Sequence, residues 1–223
     1  KVATVLENID YLSPTAINNY LYCQLRFFYR YVARLKENNE SDDDTIDNRI
    51  FGLIFHDATE ILYNKAGEFI ITRSTLQALL KDKAGIYRAI DKAFKKELFK
   101  VNGNYDFKPN YNGIQLINRE VIRQYVEMLI RLDIKLAPFT IIGLEYDVFE
   151  DITIQTTNGE RTIKVGGRID RIDKVTDPES GQEIIRVVDY KTSSREITSP
   201  LADVEAVFDP QAKRDSHRDY YFQ

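Results

Sequence analysis

The stretch Arg186–Ser194 reads RVVDYKTSS. It begins as a buried strand does, with paired valines, and then turns polar without the Gly or Pro that ordinarily ends a strand. In an extended chain, residues two apart share a face. Asp189 and Lys191 are therefore predicted to project to one side, an acceptor and a donor together at the end of a core element. Two readings stand at this point: a salt bridge at a sheet edge, or a catalytic pair.

The surrounding sequence bounds the choice. At 223 residues with 43% hydrophobic content, the chain has enough apolar material for one large domain, and 30% charged residues is ordinary for a soluble protein. The apolar runs fall short of a membrane span, and the N-terminal KVATVLENIDYLS lacks the pattern of a secretory signal. Cys23 is the single cysteine, which excludes an internal disulfide and fits a reducing cytoplasm. A net charge of −4 gives no global attraction to nucleic acid, so any such contact needs a local patch.

Working outward, the first two-thirds has helical spacing. Ser13 and Pro14 open a predicted helix through LSPTAINNYLYCQLRFFYRYVARLK, with Ile17, Leu21, Phe28, Val32 and Leu35 on one side. The acidic ENNESDDDTID lacks the alternation and central glycine of a calcium loop and reads as solvated. Further helices are predicted at Asn48–Lys65, Ser74–Lys81, Lys83–Lys100 and Ile114–Lys135, the last stopped by Pro138. The period then changes to two. Asn158-Gly159 between alternating runs marks a hairpin, and TDPESGQ marks a second turn before the RVVDYKT strand. The segment from Ser199 reads as loop leading to a helix at DYYFQ. Helices followed by a strand meander suggest an α+β fold.

In the middle strand, VGGRIDRID, Asp170 shares a face with Arg168. Asp173 reads as a surface partner of Arg171 or Lys174. If register brings Asp170 beside Asp189, two carboxylates and a lysine form a cluster that suits a hard divalent cation, Mg²⁺ or Mn²⁺. His56 alone would read as an ordinary helix histidine. Gly52 one turn earlier permits a close approach, and Glu60 one turn later could orient the imidazole. Ala93–Lys100 (with Lys95 and Lys96) and Arg26–Lys36 are basic and aromatic, as DNA-tracking surfaces can be, but equally fit solvated helix faces.

Three separated elements, GLIFH ending at His56, GRID ending at Asp170 and DYK from Asp189 to Lys191, together resemble the PD-(D/E)XK nuclease superfamily, in the branch of RecB-like and AddB-like nuclease domains. The resemblance implies a restriction-endonuclease-like α+β core: a central mixed sheet of about four strands flanked by helices, with a helical insertion before the first main strand. It implies one nuclease-like domain over residues 1–223, helical to about 137 and sheet-bearing beyond, cut from a longer protein. His56, Asp170, Asp189 and the Tyr190 carbonyl would hold the metal, and Lys191 would activate water or steady the phosphate. Glu145 and Glu60 would be supporting or extra ligands. Gln223 stands where the family's DNA-contacting Q-x-x-x-Y begins, without its tyrosine. Some relatives carry an iron–sulfur cluster, which one cysteine cannot hold. The implied activity is metal-dependent, exonuclease-like DNA hydrolysis within a DNA-repair helicase–nuclease. The alternative is a catalytically silent DNA-end-binding or docking module on the same fold. The absence of a G-x-x-x-x-G-K-[ST] loop puts any helicase motor in another domain or another polypeptide.

Overall fold

The computed structural model describes residues 9, 11–35, 46–65, 70–101, 109–157, 159–177 and 180–192. Their elements are α1 (Pro14–Tyr22), α2 (Gln24–Phe27), a π-helical turn (Phe28–Val32), α3 (Asn48–Lys65), β1 (Ile70–Ile71), α4 (Arg73–Lys81), α5 (Lys83–Glu97), α6 (Gly113–Leu136), β2 (Phe139–Thr156), β3 (Gly159–Thr176) and β4 (Glu183–Val188). The chain divides into two compact units. One comprises residues 1–39, 147–168 and 194–223, and the other comprises residues 40–146 and 169–193. The acidic stretch up to residue 45, His217, Gln223 and the expected C-terminal helix lie outside the described residues.

In the first unit, Ser13 caps α1 as its position before proline predicts, its Oγ accepting from the Ala16 N–H at 3.1 Å. The expected single long helix is instead interrupted at Cys23, which is extended (φ −159°, ψ 108°). Aromatic side chains lose rotamer freedom in a helix and hold it weakly. Here they bridge the break, with Tyr20 edge-on to Phe27 and Phe27 stacked on Tyr31. Val32 of the predicted apolar side is buried, but Leu35 is exposed. The outer parts of β2 and β3 form a hairpin whose cross-strand pairs Thr153–Thr162 and Gln155–Glu160 agree in register. Its turn uses the positive φ of Gly159 (108°), as the Asn-Gly signal predicts.

The second unit holds the main core. α3 packs on α5 and α6, joining Ile54, Ala58 and Leu62 to Ile86, Ile90, Phe94, Ile122, Val126 and Ile130. Asp47, at the end of the acidic stretch, caps α3 by accepting from the Ile50 N–H at 2.7 Å. Asn112 and Gln115 form a reciprocal capping box on α6. That helix stops at Leu136 because Ala137, preceding Pro138, is driven to an extended ψ of 144°. Among the described residues, no helix is long and apolar enough to cross a membrane.

The sheet has the order β1-β2-β3-β4. β1 pairs antiparallel with the start of β2, Ile71 opposite Phe139, and β4 pairs antiparallel with β3 from Arg171↔Val188 to Thr176↔Glu183. Where a mixed sheet is expected, the four strands are antiparallel, and among the described residues the parallel pairing is the isolated Leu12–Val165 bridge. The two-residue β1, inside the helical insertion, is too short to leave an alternating pattern. Asp173 departs from its expected surface position. It is fully buried, chelated by Arg186 (2.6 and 2.9 Å) and 3.1 Å from the buried Arg171, because its strand face turns inward between β4 and the helices.

The burial of Asp173 sets a stability difference. Asp173→Ala leaves two guanidinium groups short of a counter-charge and is expected to cost about 3–5 kcal/mol in urea unfolding. Glu183→Ala, which removes the exposed partner of Lys174 (2.8 Å), is expected to change stability by less than about 1 kcal/mol. Equal effects would contradict the burial.

Candidate active site

α3 presents His56 from the middle of its length, with Asp57 and Ala58 buried beside it. β3 presents Asp170 one residue before the ladder with β4 begins, and β2 presents Glu145. His56 Nδ1 lies 3.2 Å from Asp170 Oδ1 and 3.8 Å from Glu145 Oε1. One ligand atom from each of the three residues lies within 4.8 Å of the others, and all three side chains are half-buried. On the other side of the ring, Nε2 donates to the Tyr190 carbonyl at 3.0 Å. The Tyr190 N–H donates to Asp170 Oδ2 at 2.6 Å. The N–H and the carbonyl of one residue are thereby both bound into the site.

Burial by itself pushes the His56 pKa down, but Asp170, Glu145 and the Tyr190 carbonyl outweigh it and raise the pKa to about 10. The physical content is plain: two carboxylates and a carbonyl oxygen demand positive charge, and the imidazolium supplies it. With its Nδ1 proton displaced, the imidazole joins the Asp170 and Glu145 carboxylates as a donor set that a hard divalent cation takes, so these residues fit Mg²⁺ or Mn²⁺.

The remaining expected site residues distribute as follows. Asp189 and Lys191 follow β4, which ends at Val188, and pair with each other at 2.8 Å, both well exposed. The same-side prediction from strand alternation therefore holds past the end of the ladder. Asp189 lies outside the three-residue carboxylate–histidine group. Thr192 runs over α3 at Gly52, where a Cβ would stand 3.5 Å from its hydroxyl. The close approach read from Gly52 is made by this chain's own side chain. Glu60 is half-buried one turn along α3. Lys96 is engaged by Asp57 and, at 3.5 Å, by Glu97. Lys95 is half-buried on α5, and Arg26 is exposed on α2.

Beneath Tyr190 is a group of residues that sequence reading passed over. Its ring lies edge-on to Phe55 and His56, and its hydroxyl is buried without a hydrogen-bond partner among the described residues. Burial pushes that phenol's pKa upward. Arg171, 2% exposed, donates twice to Asp133 at 2.7 and 3.0 Å, and Tyr63 also donates to Asp133. The available signal was Asp133 itself, a charged residue on the apolar face that Ile122, Val126 and Ile130 trace along α6.

Glu145 is held at φ 46°, a left-handed conformation that is strained for a residue with a Cβ. Such strain collects where a side chain is re-aimed toward a site. Glu145→Gly relieves the strain and removes one carboxylate from a crowded anionic cluster. It is expected to leave thermal stability unchanged or raise it by about 1 kcal/mol, read as a melting-temperature increase. A loss of more than about 1 kcal/mol would contradict the strained backbone.

With this geometry in place, comparison with known proteins identifies the frame. The family model described as the PD-(D/E)XK nuclease superfamily matches residues 11–212. Among similar curated proteins is an ATP-dependent helicase/deoxyribonuclease subunit from Alkaliphilus metalliredigens, 27% identical over 221 residues, covering 92% of this chain and 17% of that protein. A protein of the same name from Streptococcus agalactiae is 26% identical over 184 residues, covering 82% of this chain and 14% of its own length. The chain thus spans a small fraction of the length of these relatives. The family match takes in every strand and helix of the described structure, and by it the chain belongs to the PD-(D/E)XK nuclease superfamily.

Proposed function

We propose that this domain hydrolyses DNA phosphodiester bonds with the help of a divalent cation, as the nuclease portion of a larger helicase–nuclease. The observation that carries the reading is the convergence of His56, Glu145 and Asp170 in a half-buried cluster, with the Tyr190 carbonyl held on the far nitrogen of the imidazole. Asp189 and Lys191 flank the residue that supplies that carbonyl. The names of the similar helicase/deoxyribonuclease proteins support DNA as substrate and a motor elsewhere in the assembly.

In this reading Asp170, Glu145 and His56 would hold the cation, with the Tyr190 carbonyl and Asp189 as further oxygen ligands. When bound, the cation lowers the pKa of water and offsets charge that builds on the phosphoryl oxygens. Asp170 has a second task, because its other oxygen keeps the Tyr190 N–H in place. Lys191 carries three N–H donors on a flexible stem at the exposed edge. It orients the attacking water or donates to the phosphate as the water oxygen bonds to phosphorus and gives up a proton, while the bond to the leaving oxygen breaks and that oxygen takes a proton. Asp189, 2.8 Å from the lysine ammonium, keeps it on the same side of the chain. A histidine in an otherwise oxygen donor set makes Mn²⁺ as suitable as Mg²⁺.

The test is cleavage of linear double- and single-stranded DNA with Mg²⁺, Mn²⁺ or EDTA. Wild type is expected to cut only with metal. Lys191→Ala and Asp170→Asn are each expected to lose at least about 100-fold in rate. Cutting that survives both EDTA and Lys191→Ala would sink the assignment. Binding of DNA ends without cutting, at any metal concentration, would favour a docking module instead.

A further inference from the structure

The cluster beneath Tyr190 has no part in the chemistry above, yet it touches the site through one residue. Arg171 follows the candidate ligand Asp170 on β3, so the two side chains point to opposite faces. On the inner face the guanidinium is locked from several directions. Asp133 takes its two terminal nitrogens, and Asp173 lies 3.1 Å from Nε without the alignment of a hydrogen bond. The Tyr63, Phe139 and Tyr190 rings surround the guanidinium, with centroids 5.5, 5.1 and 5.8 Å from its central carbon. Asp173 is in turn chelated by Arg186, so two acids and two arginines close a neutral set. The one member of this assembly that reaches the other side is Tyr190, whose ring lies against Arg171 and whose backbone N–H and carbonyl meet Asp170 and His56.

We infer that Arg171 is a positioning residue for the metal centre. Clamped by Asp133, it fixes the Tyr190 ring from below and the β3 backbone from behind. It thereby sets the Tyr190 backbone, whose N–H holds the Asp170 carboxylate and whose carbonyl holds the His56 imidazole. The inference rests on the proposed metal site. Asp133, on a helix far from the site in sequence, acts through Arg171 and touches no ligand itself. The planar fork matters as much as the charge, since it must satisfy the Asp133 carboxylate bidentately while packed among the Tyr63, Phe139 and Tyr190 rings.

The test is Mn²⁺ binding to the protein without DNA, followed by the EPR signal of free Mn²⁺. Wild type, Asp170→Asn, Arg171→Lys and the double variant Arg171→Met/Asp133→Asn are compared. The double variant removes one cation and one anion together and leaves Asp173 matched to Arg186, so it is expected to fold. Arg171→Lys keeps the charge and covers the case in which the double variant does not fold. Both are expected to retain wild-type circular dichroism and to bind Mn²⁺ about 10- to 100-fold more weakly. Wild-type Mn²⁺ affinity in a folded Arg171→Lys or double variant would overturn the positioning role and leave the metal site standing. A wild type that binds Mn²⁺ no better than Asp170→Asn would instead overturn the metal site, and this inference with it.

Discussion

One residue's backbone organises this domain. The Tyr190 N–H is taken by Asp170 and its carbonyl by His56, so the chain just beyond β4 is bound to both β3 and α3 at once. That double attachment brings a helix residue, a strand residue and the end of a neighbouring strand to one place. It also explains why β4 stops pairing at Val188: the next amide but one turns to a carboxylate instead of to the β3 backbone. A buried amide must find a partner, and here the partner is a side chain of the site. Asp189 and Lys191, on either side of Tyr190, inherit their positions from it.

The electrostatics of the two sides of Tyr190 differ in a way that bears on function. Above it, Asp170 and Glu145 face a single imidazole, an arrangement with more negative than positive groups. Below it, Asp133 and Asp173 are matched by Arg171 and Arg186, with no charge left over. A buried ion pair of this kind contributes little net stability, because desolvation cancels much of the attraction. Its contribution is definition, since a bidentate fork admits few alternatives in geometry. The balanced set is built like a support and the unbalanced one like a receptor. They meet at a single aromatic residue.

Much of this was legible in the sequence because it rests on local rules. The extent of α3 follows from helical spacing at Ile50, Ile54, Asp57 or Ala58, and Ile61, and the β2–β3 turn follows from Asn158-Gly159. What was not legible depends on contacts distant in sequence or on departures from ideal geometry. The polar, short-range context of Asp173 resembles a surface, and only the inward face of β3 makes it buried. The left-handed backbone at Glu145 breaks the alternation from which its direction would have been read. Lys96 reads as a free basic face until α5 packs on α3 and brings it to Asp57. Asp133 was within reach, because a lone acid in an apolar helical register must have a partner and the available cations on β3 and β4 are few.

The opening alternative for Asp189 and Lys191, salt bridge or catalytic pair, is less exclusive than the sequence made it look. The two side chains do form an ion pair, and at an exposed sheet edge such a pair contributes little to stability. A contact that holds the fold together so weakly is a poor reason to interrupt a strand. The same two groups flank the residue whose carbonyl meets the imidazole of the carboxylate–histidine cluster. In the proposed reaction the ammonium lies on the same face as Asp189 and can exchange an exposed, weakly held partner for a phosphate oxygen. The strand turns polar after Val188 because the chain leaves the core to meet the site, and the residues placed there are suited to meeting something else.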